Sequence, residues 1–449
     1  VHDGGLAALR AAGGVVVSLV DGGPGRRVRV ADAVAEAAAS DVVLDGLLGI
    51  GARGGLRGAP AAVVRALAEE LAGGGRGRPL VVAVDAPSGI GVDDGELPVA
   101  APEVPDQPDR AGTAADGLPT RAPTPAPVLP ADLTVTFGAA KAGLLLPPAS
   151  AVVGRLEIVD LGLDLSDEPP AVARLETPEL AALWPIPASA AQKYSRGVLG
   201  VVAGTPAYPG AAVLTVGSAV RSGVGMVRYL GSPGVTAAVL TARPEVVAGN
   251  GRVQAWALGP GVDPDDTAQA ARIQDALAAA GDTALPAVLD AGALALLPDR
   301  LAPWVVLTPH AGELAALLAG LGEDVDRAAI EDAPLRWARR AHELTGATVL
   351  LKGATTVVVG ADGAVYTQAD APAWLATAGA GDVLTGLLGA LLAGRAADVV
   401  ADPTLAAALA ACAAAVHGRA AHAAQPGGPV SALAVADALP RTIATLLAD

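Results

Sequence analysis

Apolar runs of strand length alternate with helical segments along most of this chain, and this alternation is the feature that most restricts its fold. The runs include "DVVLD" at 41–45, "PLVVAV" at 79–84, "GVLGVVAG" at 197–204 and "WVVL" at 304–307. Strands that are apolar at nearly every position are typical of parallel sheets buried between helices. We therefore predict an α/β fold of doubly wound units, which bind ligands at the carboxyl ends of their strands.

The length of 449 residues indicates two or three domains. We assign residues 1–165 to a first α/β unit, 166–189 to a linker and 190–449 to a second α/β unit. Residues 98–130 contain nine prolines among Ala, Asp and Thr. Such a segment has too little apolar surface to pack, so we predict a disordered insertion there.

The net charge of −16 argues against binding to nucleic acid or to an anionic membrane surface. We find no signal peptide and no uncharged apolar run of 18 residues, so we expect no membrane span. The single cysteine, Cys412, cannot form an internal disulfide and is expected to be buried. The default expectation is a cytoplasmic enzyme.

The segment "AGAGDVLTG" at 378–386 is the most informative motif. Gly379 and Gly381 allow the backbone to approach a ligand closely, and the amides at the start of the following helix would form an anion hole for a phosphoryl group. Asp382 beside that hole would act as a general base. Taken alone, the motif fits an ordinary helix cap equally well.

Three other strand ends carry polar residues. Lys352 in "LKGATT" suits a phosphate or nucleotide, although a lysine at a sheet edge is an equal alternative. His310 in "LTPHAGEL" suits a ligand, although Thr308 and Glu313 offer a capping alternative. Asp290 follows another strand, in "LDAGAL". Together these loops converge on one edge of a single sheet, which favours a binding site there.

In the first unit, Asp45 and Asp85 follow strands, and Ser88 lies in the turn "APSG". Carboxylate and hydroxyl oxygens suit a cation together with a polar ligand. The alternative is turn chemistry, since Asp and Ser stabilise turns in many proteins. The loop "GIGARGG" at 49–55 lacks the spacing of a nucleotide-binding fingerprint.

The second unit resembles the ADP-dependent NAD(P)H-hydrate dehydratases, which have a ribokinase-like fold. The resemblance covers about residues 190–448 and rests on seven motifs in order, among them "KYSRGVLGVVAGTPAYPGAA", "LTPHAGEL", "LKGATT" and "AGAGDVLTG". The first unit resembles the Rossmann-like NAD(P)H-hydrate epimerase domain through "DVVLDGLLGIGARGGLRGAP", "VVAVDAPSGI" and "ADLTVTFGAAKAGLLLPP". Together they resemble the bifunctional nicotinamide-hydrate repair family.

The resemblance implies that ADP phosphorylates the hydroxyl of the S form of hydrated NADH or NADPH. Elimination of phosphate then restores NAD(P)H and leaves AMP, and Mg²⁺ is expected with the reacting phosphates. Asp382 would be the base, with an anion hole formed by Gly379, Ala380 and Gly381. The remaining implied contacts are Lys352, Gly353, Ala354, Thr355, Thr356 and Gly381 for the AMP part of ADP, and Ala212, Gly261, His310 and Asp382 for the hydrate.

For the epimerase unit, the resemblance implies K⁺ bound by Asp45 and Ser88. It implies substrate contacts at Gly49, Ile50, Gly51, Ala52, Arg53, Gly54, Gly55 and Asp85. The family's Asn-Asn-Gly-Gly-Asp loop is not found, so we interpret the unit as N-terminally truncated and expect impaired interconversion of the R and S hydrates. Family members often assemble, so a homo-oligomer is expected by resemblance.

Two alternatives are open at this point. A ribokinase-like small-molecule kinase would share the Gly-x-Gly-Asp motif but would transfer phosphate stably from ATP. A nucleotide-binding sensor would need no base, so Asp382 argues mildly against it. The pairing of "LTPHAGEL" with "LKGATT", together with the fused first unit, favours the dehydratase.

Overall fold

The computed structural model describes residues 3–20, 23, 25–73, 77–98 and 126–448, and the chain divides into two compact units, Val1–Glu168 and Pro169–Asp449. The fold class is confirmed, since both units carry a sheet of mainly parallel strands flanked by helices. Most of the predicted Pro-rich insertion lies outside the described residues.

The first unit contains a four-stranded parallel sheet in the order β3-β4-β5-β6 and a separate pair of short parallel strands, β1 and β2. Its strands are β1 (Val17–Ser18), β2 (Arg26–Arg27), β3 (Val42–Asp45), β4 (Leu80–Val84), β5 (Leu133–Phe137) and β6 (Arg155–Val159). Its helices are α1 (Asp3–Ala11), α2 (Val30–Ala38), α3 (Gly58–Ala72) and α4 (Ala142–Leu145).

One face of this sheet is covered and the other is open within the described residues. Val81 packs with Val34 of α2 and Val64 of α3 in a buried cluster. On the opposite face Val42 and Leu44 of β3 are 48% and 68% exposed. The expectation that the run "DVVLD" is a fully buried strand is therefore wrong for β3, because only alternate residues of this strand meet the helices.

The end of the predicted insertion is ordered. Ala126 and Leu129 are 5% and 3% exposed, and the amide of Ala126 donates to the carbonyl oxygen of Pro98 at 2.7 Å. Residues 126–130 thus pack against the first unit, and this corrects the expectation that disorder extends to residue 130. Their apolar side chains gain enough burial to offset the cost of ordering.

The second unit contains a nine-stranded sheet in the order β15-β14-β13-β12-β11-β10-β7-β8-β9. The strands are β7 (Val198–Val202), β8 (Met226–Tyr229), β9 (Val247–Ala248), β10 (Ala255–Leu258), β11 (Ala287–Leu289), β12 (Val305–Leu307), β13 (Thr348–Leu351), β14 (Thr356–Val359) and β15 (Val365–Gln368). The helices are α5 (Thr177–Leu183), α6 (Pro209–Arg221), α7 (Pro233–Ala242), α8 (Thr267–Thr283), α9 (Ala311–Gly320), α10 (Arg327–Asp332), α11 (Pro334–Thr345), α12 (Ala380–Gly394), α13 (Ala396–Ala401), α14 (Thr404–Ala424) and α15 (Ala432–Leu446).

The central strands of this sheet are buried on both faces, as continuous apolar runs predict. All five residues of β7 are buried, and alternate ones join two different clusters: Val201 packs with α12, and Val202 packs with α8. The hairpin predicted in "ATVLLKGATTVVVG" is confirmed by the antiparallel pairing of β13 with β14. Strand β15 and helices α10 and α11 were not predicted.

Part of the segment expected to be a linker belongs to the second unit. Within residues 166–189, helix α5 places Leu180 and Trp184 in the main core, where they are 0% and 6% exposed. Their apolar side chains pack beside α14, and the buried thiol of Cys412 lies 3.7 Å from the carbonyl oxygen of Leu180. The compact unit accordingly begins at Pro169.

Helix α14 is the one helix in the described residues that is long and apolar enough to cross a membrane. However, 72% of its apolar window is buried inside the protein. Core helices of α/β proteins have the same composition. The helix is therefore accounted for by packing within the second unit.

Helices α6 and α12 approach each other closely because Gly386 has no side chain. A Cβ atom built on Gly386 would collide with the carbonyl oxygen of Thr215 in α6. Ser218 of α6 donates through Oγ to the carbonyl oxygen of Val383 at 2.5 Å. Since α12 begins at the Gly-x-Gly-Asp motif, this contact fixes where the motif lies relative to α6.

We predict that Gly386→Ala destabilises the second unit by about 1–3 kcal/mol, because the added methyl group forces α12 away from α6. Gly281→Ala in α8 is the matched control: a methyl group there meets nothing within 4 Å, and it should stabilise by about 0.5–1 kcal/mol. All five tryptophans lie in the second unit, so the urea midpoint from tryptophan fluorescence measures this unit alone. Equal midpoints for the two variants would contradict the close-approach argument.

Candidate active site

The site residues predicted for the second unit lie mainly in loops at the carboxyl ends of its central strands. The loops after β7 and β10 are joined there, since the amide of Gly204 donates to the carbonyl oxygen of Pro260 at 2.7 Å. Gly261 has a φ of +61°, and a Cβ atom on it would collide with Ala211 of α6. The predicted contact residue Gly261 is thus packed against the start of α6.

The start of α12 has the geometry of an anion site. Gly379 is in the left-handed conformation with a φ of +87°, and the helix starts at Ala380. Among the described residues, the amides of Gly381 and Asp382 have no hydrogen-bond acceptor. Unpaired amides at the positive end of a helix dipole bind anions.

The carboxylate of Asp382 lies beside these amides. A Cβ atom built on Gly379 would be 3.8 Å from its Oδ2. Burial raises the pKa of Asp382 to about 7, and the negative charge of Asp290 adds to this effect while Lys352 opposes it. No hydrogen bond to the Asp382 carboxylate is formed within the described part of the chain. A partly buried carboxylate with a pKa near neutrality is suited to accept a proton.

Asp290, which the sequence places at this edge of the sheet, is the centre of a buried hydrogen-bond network that the sequence did not predict. Asp290 is 2% exposed and follows β11. Its Oδ1 accepts hydrogen bonds from Lys352 Nζ at 2.7 Å and Thr308 Oγ1 at 3.0 Å, and its Oδ2 accepts from Thr385 Oγ1 at 3.0 Å. The sequence indicates only that Asp290 follows a strand, and this position does not identify the residues that form hydrogen bonds with it.

Lys352 is placed by both its backbone and its side chain. Its amide donates to the carbonyl oxygen of Pro309 at 2.8 Å, which continues the pairing of β12 with β13 beyond the strands. Its Nζ lies 3.5 Å from Glu313 Oε2 in addition to its contact with Asp290. Burial alone would lower the pKa of Lys352, but the charges of Asp290 and Glu313 raise it above its usual value. The side chain therefore remains an ammonium ion.

His310 is the N-cap of α9. Its Nδ1 accepts from the amide of Glu313 at 3.1 Å, while Glu313 Oε2 accepts from the amide of His310 at 2.7 Å. The capping alternative left open by the sequence is therefore present, with His310 in the place expected for Thr308. Its Nε2 lies 3.7 Å from Glu313 Oε2, and the His310 side chain is 58% exposed, so capping leaves the ring accessible to a ligand.

The other predicted residues of this unit differ in accessibility. Gly353 and Ala354 are exposed at the tip of the β13–β14 hairpin, and Thr355 and Thr356 are half-buried there. Ala212 lies in α6 and is 0% exposed. The hairpin tip is thus open to a nucleotide, whereas Ala212 is covered in this structure.

In the first unit, Asp45 and Ser88 are in direct contact. Ser88 Oγ donates to Asp45 Oδ1 at 2.5 Å, and the amide of Ser88 donates to Asp45 Oδ2 at 2.8 Å. The amide of Leu48 donates to Ser88 Oγ at 2.9 Å. These bonds are the turn chemistry that the sequence left open. They occupy the oxygens expected to bind K⁺, so K⁺ binding stays a prediction.

Asp85 is paired with Lys141, which was not predicted as a site residue. Lys141 Nζ lies 2.5 Å from Asp85 Oδ1, and Thr136 Oγ1 donates to the same oxygen at 3.0 Å. Burial acts to raise the pKa of Asp85, but these bonds hold it below its usual value. Asp85 also has a φ of +70°. In the predicted substrate loop 49–55, residues 49–54 are exposed and Gly55 is half-buried.

We predict that Asp382→Asn stabilises the second unit at pH 8 by on the order of 4 kcal/mol. The folded-state pKa of about 7 lies above the ordinary aspartate value of 3.8, so the folded state binds more protons between these values and loses stability as pH rises through them. The gain should vanish near pH 4. Asp275→Asn on the exposed face of α8 is the control, and it should change the urea midpoint at neither pH.

An equal gain for Asp382→Asn at both pH values would contradict the raised pKa.

Two family models match the chain. Residues 199–441 match the model described as NAD(P)H-hydrate dehydratase, and residues 8–143 match the one described as YjeF-related protein N-terminus. The bifunctional NAD(P)H-hydrate repair enzyme Nnr of Mycobacterium tuberculosis is 42% identical over 368 residues, which cover 79% of this chain and 66% of the relative. The enzyme of the same name from Mycobacterium leprae is 41% identical over 405 residues, covering 88% and 70%.

Solved structures agree with the fold of the second unit. The ADP/ATP-dependent NAD(P)H-hydrate dehydratase from Bacillus subtilis, co-crystallised with ATP and Mg²⁺, has a TM-score of 0.52 at 25% identity, covering 61% of this chain and 99% of that one. A ribokinase-like protein from Enterococcus faecalis has a TM-score of 0.54 at 21% identity, covering 62% and 97%. The match spans about two thirds of the length of the curated relatives named above. The chain belongs to the bifunctional NAD(P)H-hydrate repair enzyme family.

Proposed function

We propose that the second unit dehydrates the S form of NADH or NADPH hydrate with ADP as co-substrate, giving NAD(P)H, AMP and phosphate. The observation that carries this proposal is the free carboxylate of Asp382 beside the unpaired amides of α12. A base and an anion hole at one point are what phosphorylation of a hydroxyl requires. The family membership supplies the class of substrate.

In the proposed reaction, Asp382 removes the proton from the hydrate hydroxyl as its oxygen attacks the terminal phosphorus of ADP. The bond from that phosphorus to the AMP oxygen breaks, and the electron pair leaves with AMP. The unpaired amides of Gly381 and Asp382 would face the charge that develops on the phosphoryl oxygens. The amide of Ala380, predicted as part of the anion hole, instead donates to the carbonyl oxygen of Thr377 at 3.3 Å. Elimination then breaks the carbon–oxygen bond of the new ester, phosphate leaves with the electron pair, and the neighbouring carbon loses a proton to solvent, which restores the nicotinamide double bond.

The exposed hairpin tip 353–356 is proposed to hold the AMP part of ADP, and His310 and Gly261 to hold the hydrate. His310 is exposed in the loop after β12. Gly261 lies in the loop after β10, next to the start of α6. Ala212 would contact the hydrate only if the start of α6 shifts, because it is buried.

Mg²⁺ is proposed to enter with the nucleotide, as in the relative co-crystallised with ATP and Mg²⁺. Within the described residues, no three His, Cys, Asp or Glu side chains are grouped to hold a metal ion. That fits Mg²⁺, which often binds phosphate oxygens and water with only one or two carboxylates. Glu313, whose side chain is 24% exposed, is the carboxylate suited to hold it. When bound, the metal would neutralise phosphate charge.

The first unit is proposed to bind the same hydrates, since the curated relatives are bifunctional. Loop 49–55 offers an exposed glycine-rich surface, and Asp85 with Lys141 offers a charged pair close to the same strand ends. K⁺ binding and homo-oligomer formation also stay predictions, and no step of the dehydratase reaction depends on them.

The proposal is tested by following NADH absorbance when the S hydrate is offered with ADP or with ATP. We expect recovery with the wild-type chain and a loss of about 10²–10⁴-fold in kcat for Asp382→Ala, the usual effect of removing a general base. Asp275→Ala on α8 is the control and should retain full activity. No recovery with either nucleotide would reject the dehydratase. Stable phosphorylated product would favour the kinase alternative.

The pH dependence gives a second test. Since Asp382 must be ionised to accept the proton and its pKa is raised to about 7, we expect kcat to fall about tenfold for each pH unit below that value. The measurement is kcat from pH 5 to 9 at saturating ADP. A flat profile across pH 7 would show that Asp382 does not act as the base.

A further inference from the structure

The ammonium group of Lys352 lies at the anion hole, away from the hairpin tip that carries the residue. A methyl group built on Gly381 would lie 3.6 Å from Lys352 Nζ and 3.6 Å from Asp290 Oδ2. Gly381 also carries one of the unpaired amides of α12. The side chain of Lys352 therefore points toward the place where a phosphoryl group would sit.

We infer that Lys352 is a catalytic residue that contacts the transferring phosphoryl group, and that Asp290 is the positioning residue that holds it there. The inference rests on the proposed dehydratase function and deepens it. The family resemblance implies that Lys352 binds the AMP part of ADP together with residues 353–356, whereas the residues alone left phosphate or nucleotide open. The geometry divides this group: the exposed tip faces the nucleotide, and the Lys352 side chain faces the reaction centre.

The hydrogen-bonding capacity of Lys352 supports this role. An ammonium group has three N–H donors. One is directed to Asp290 at 2.7 Å, and Glu313 lies within ion-pair distance at 3.5 Å. The third donor is left for a ligand. It lies near the backbone of Gly381, where a Cβ atom would lie 3.6 Å from Lys352 Nζ.

Asp290 is suited to position this ammonium because both of its oxygens accept hydrogen bonds. Thr308 and Thr385 bond to it from the loop after β12 and from α12, which fixes the orientation of the carboxylate. It is 2% exposed, so substrate does not reach it without moving its partners. Its contact at 2.7 Å would hold Lys352 Nζ in place. Its charge also raises the pKa of Asp382, so kcat is compared at pH 9, where Asp382 is ionised.

In the transition state the hydrate oxygen forms its bond to the terminal phosphorus while the bond to the AMP oxygen breaks. Negative charge lies on the three equatorial phosphoryl oxygens. Lys352 would donate to one of these oxygens, keeping its proton throughout, while Asp382 accepts the proton of the hydroxyl. AMP, the product, lacks the transferred group and would not meet Lys352 Nζ.

The test separates catalysis from nucleotide binding. For Lys352→Met we expect kcat with ADP and S hydrate to fall by about 10²-fold or more, while the Kd for AMP changes less than about threefold. Asp290→Asn should lower kcat in the same way. Because Asp290 acts through Lys352, the double variant should be no slower than Lys352→Met. Asp370→Asn, which breaks the 3.0 Å ion pair with Arg419 elsewhere in the unit, should leave kcat unchanged.

A tenfold weaker Kd for AMP with unchanged kcat would return Lys352 to the AMP site and overturn the inference. Multiplying effects of the two substitutions would overturn the role of Asp290. Lys352→Met leaves a buried carboxylate unpaired and so threatens folding. The double variant removes both charges, and it should fold and show the same loss of kcat with AMP affinity retained. Wild-type inactivity would instead reject the proposed function. In that case, a Lys352→Met variant that weakens the Kd for ADP no more than the Kd for AMP would overturn the contact with the terminal phosphoryl group.

Discussion

The buried carboxylate of Asp290 is the interaction on which the arrangement of the site depends. A buried charge without partners is costly, and here the partners come from different elements: Lys352 after β13, Thr308 after β12 and Thr385 in α12. Satisfying one carboxylate therefore fixes three strand ends and a helix relative to one another. The anion hole at the start of α12 has its position because Thr385, one turn later, is tied to that carboxylate.

The two carboxylates of the site have different roles because their surroundings differ. Asp290 has its oxygens filled by donors and stays out of reach, whereas Asp382, at a helix start, has no such donors and a pKa raised to about 7 by burial. The first is suited to hold structure and the second to exchange a proton. The close contact of α12 with α6 at Gly386 supports this difference, because it keeps the helix start from moving toward other donors.

The sequence predicted what depends on local pattern. The alternation of runs predicted the sheet, and the Gly-x-Gly-Asp motif predicted a helix start with free amides, both of which the structure contains. It could not predict the pairing of Asp290 with Lys352, because these residues are 62 positions apart and lie on strands separated by β12. Nor could it predict that Val42 and Leu44 are exposed, because apolar runs do not show whether a second layer of helices is present.

The backbone pairing of Lys352 with Pro309 fixes the position of the lysine independently of the hairpin residues that follow it in the motif "LKGATT". The amide and side chain of Lys352 are anchored to the sheet and to Asp290, whereas Gly353 and Ala354 beyond it project into solvent. An insertion or substitution at the hairpin tip would be absorbed there without moving the ammonium. Substitutions at the hairpin tip would therefore change which nucleotide is bound without altering the position of the ammonium group at the anion hole.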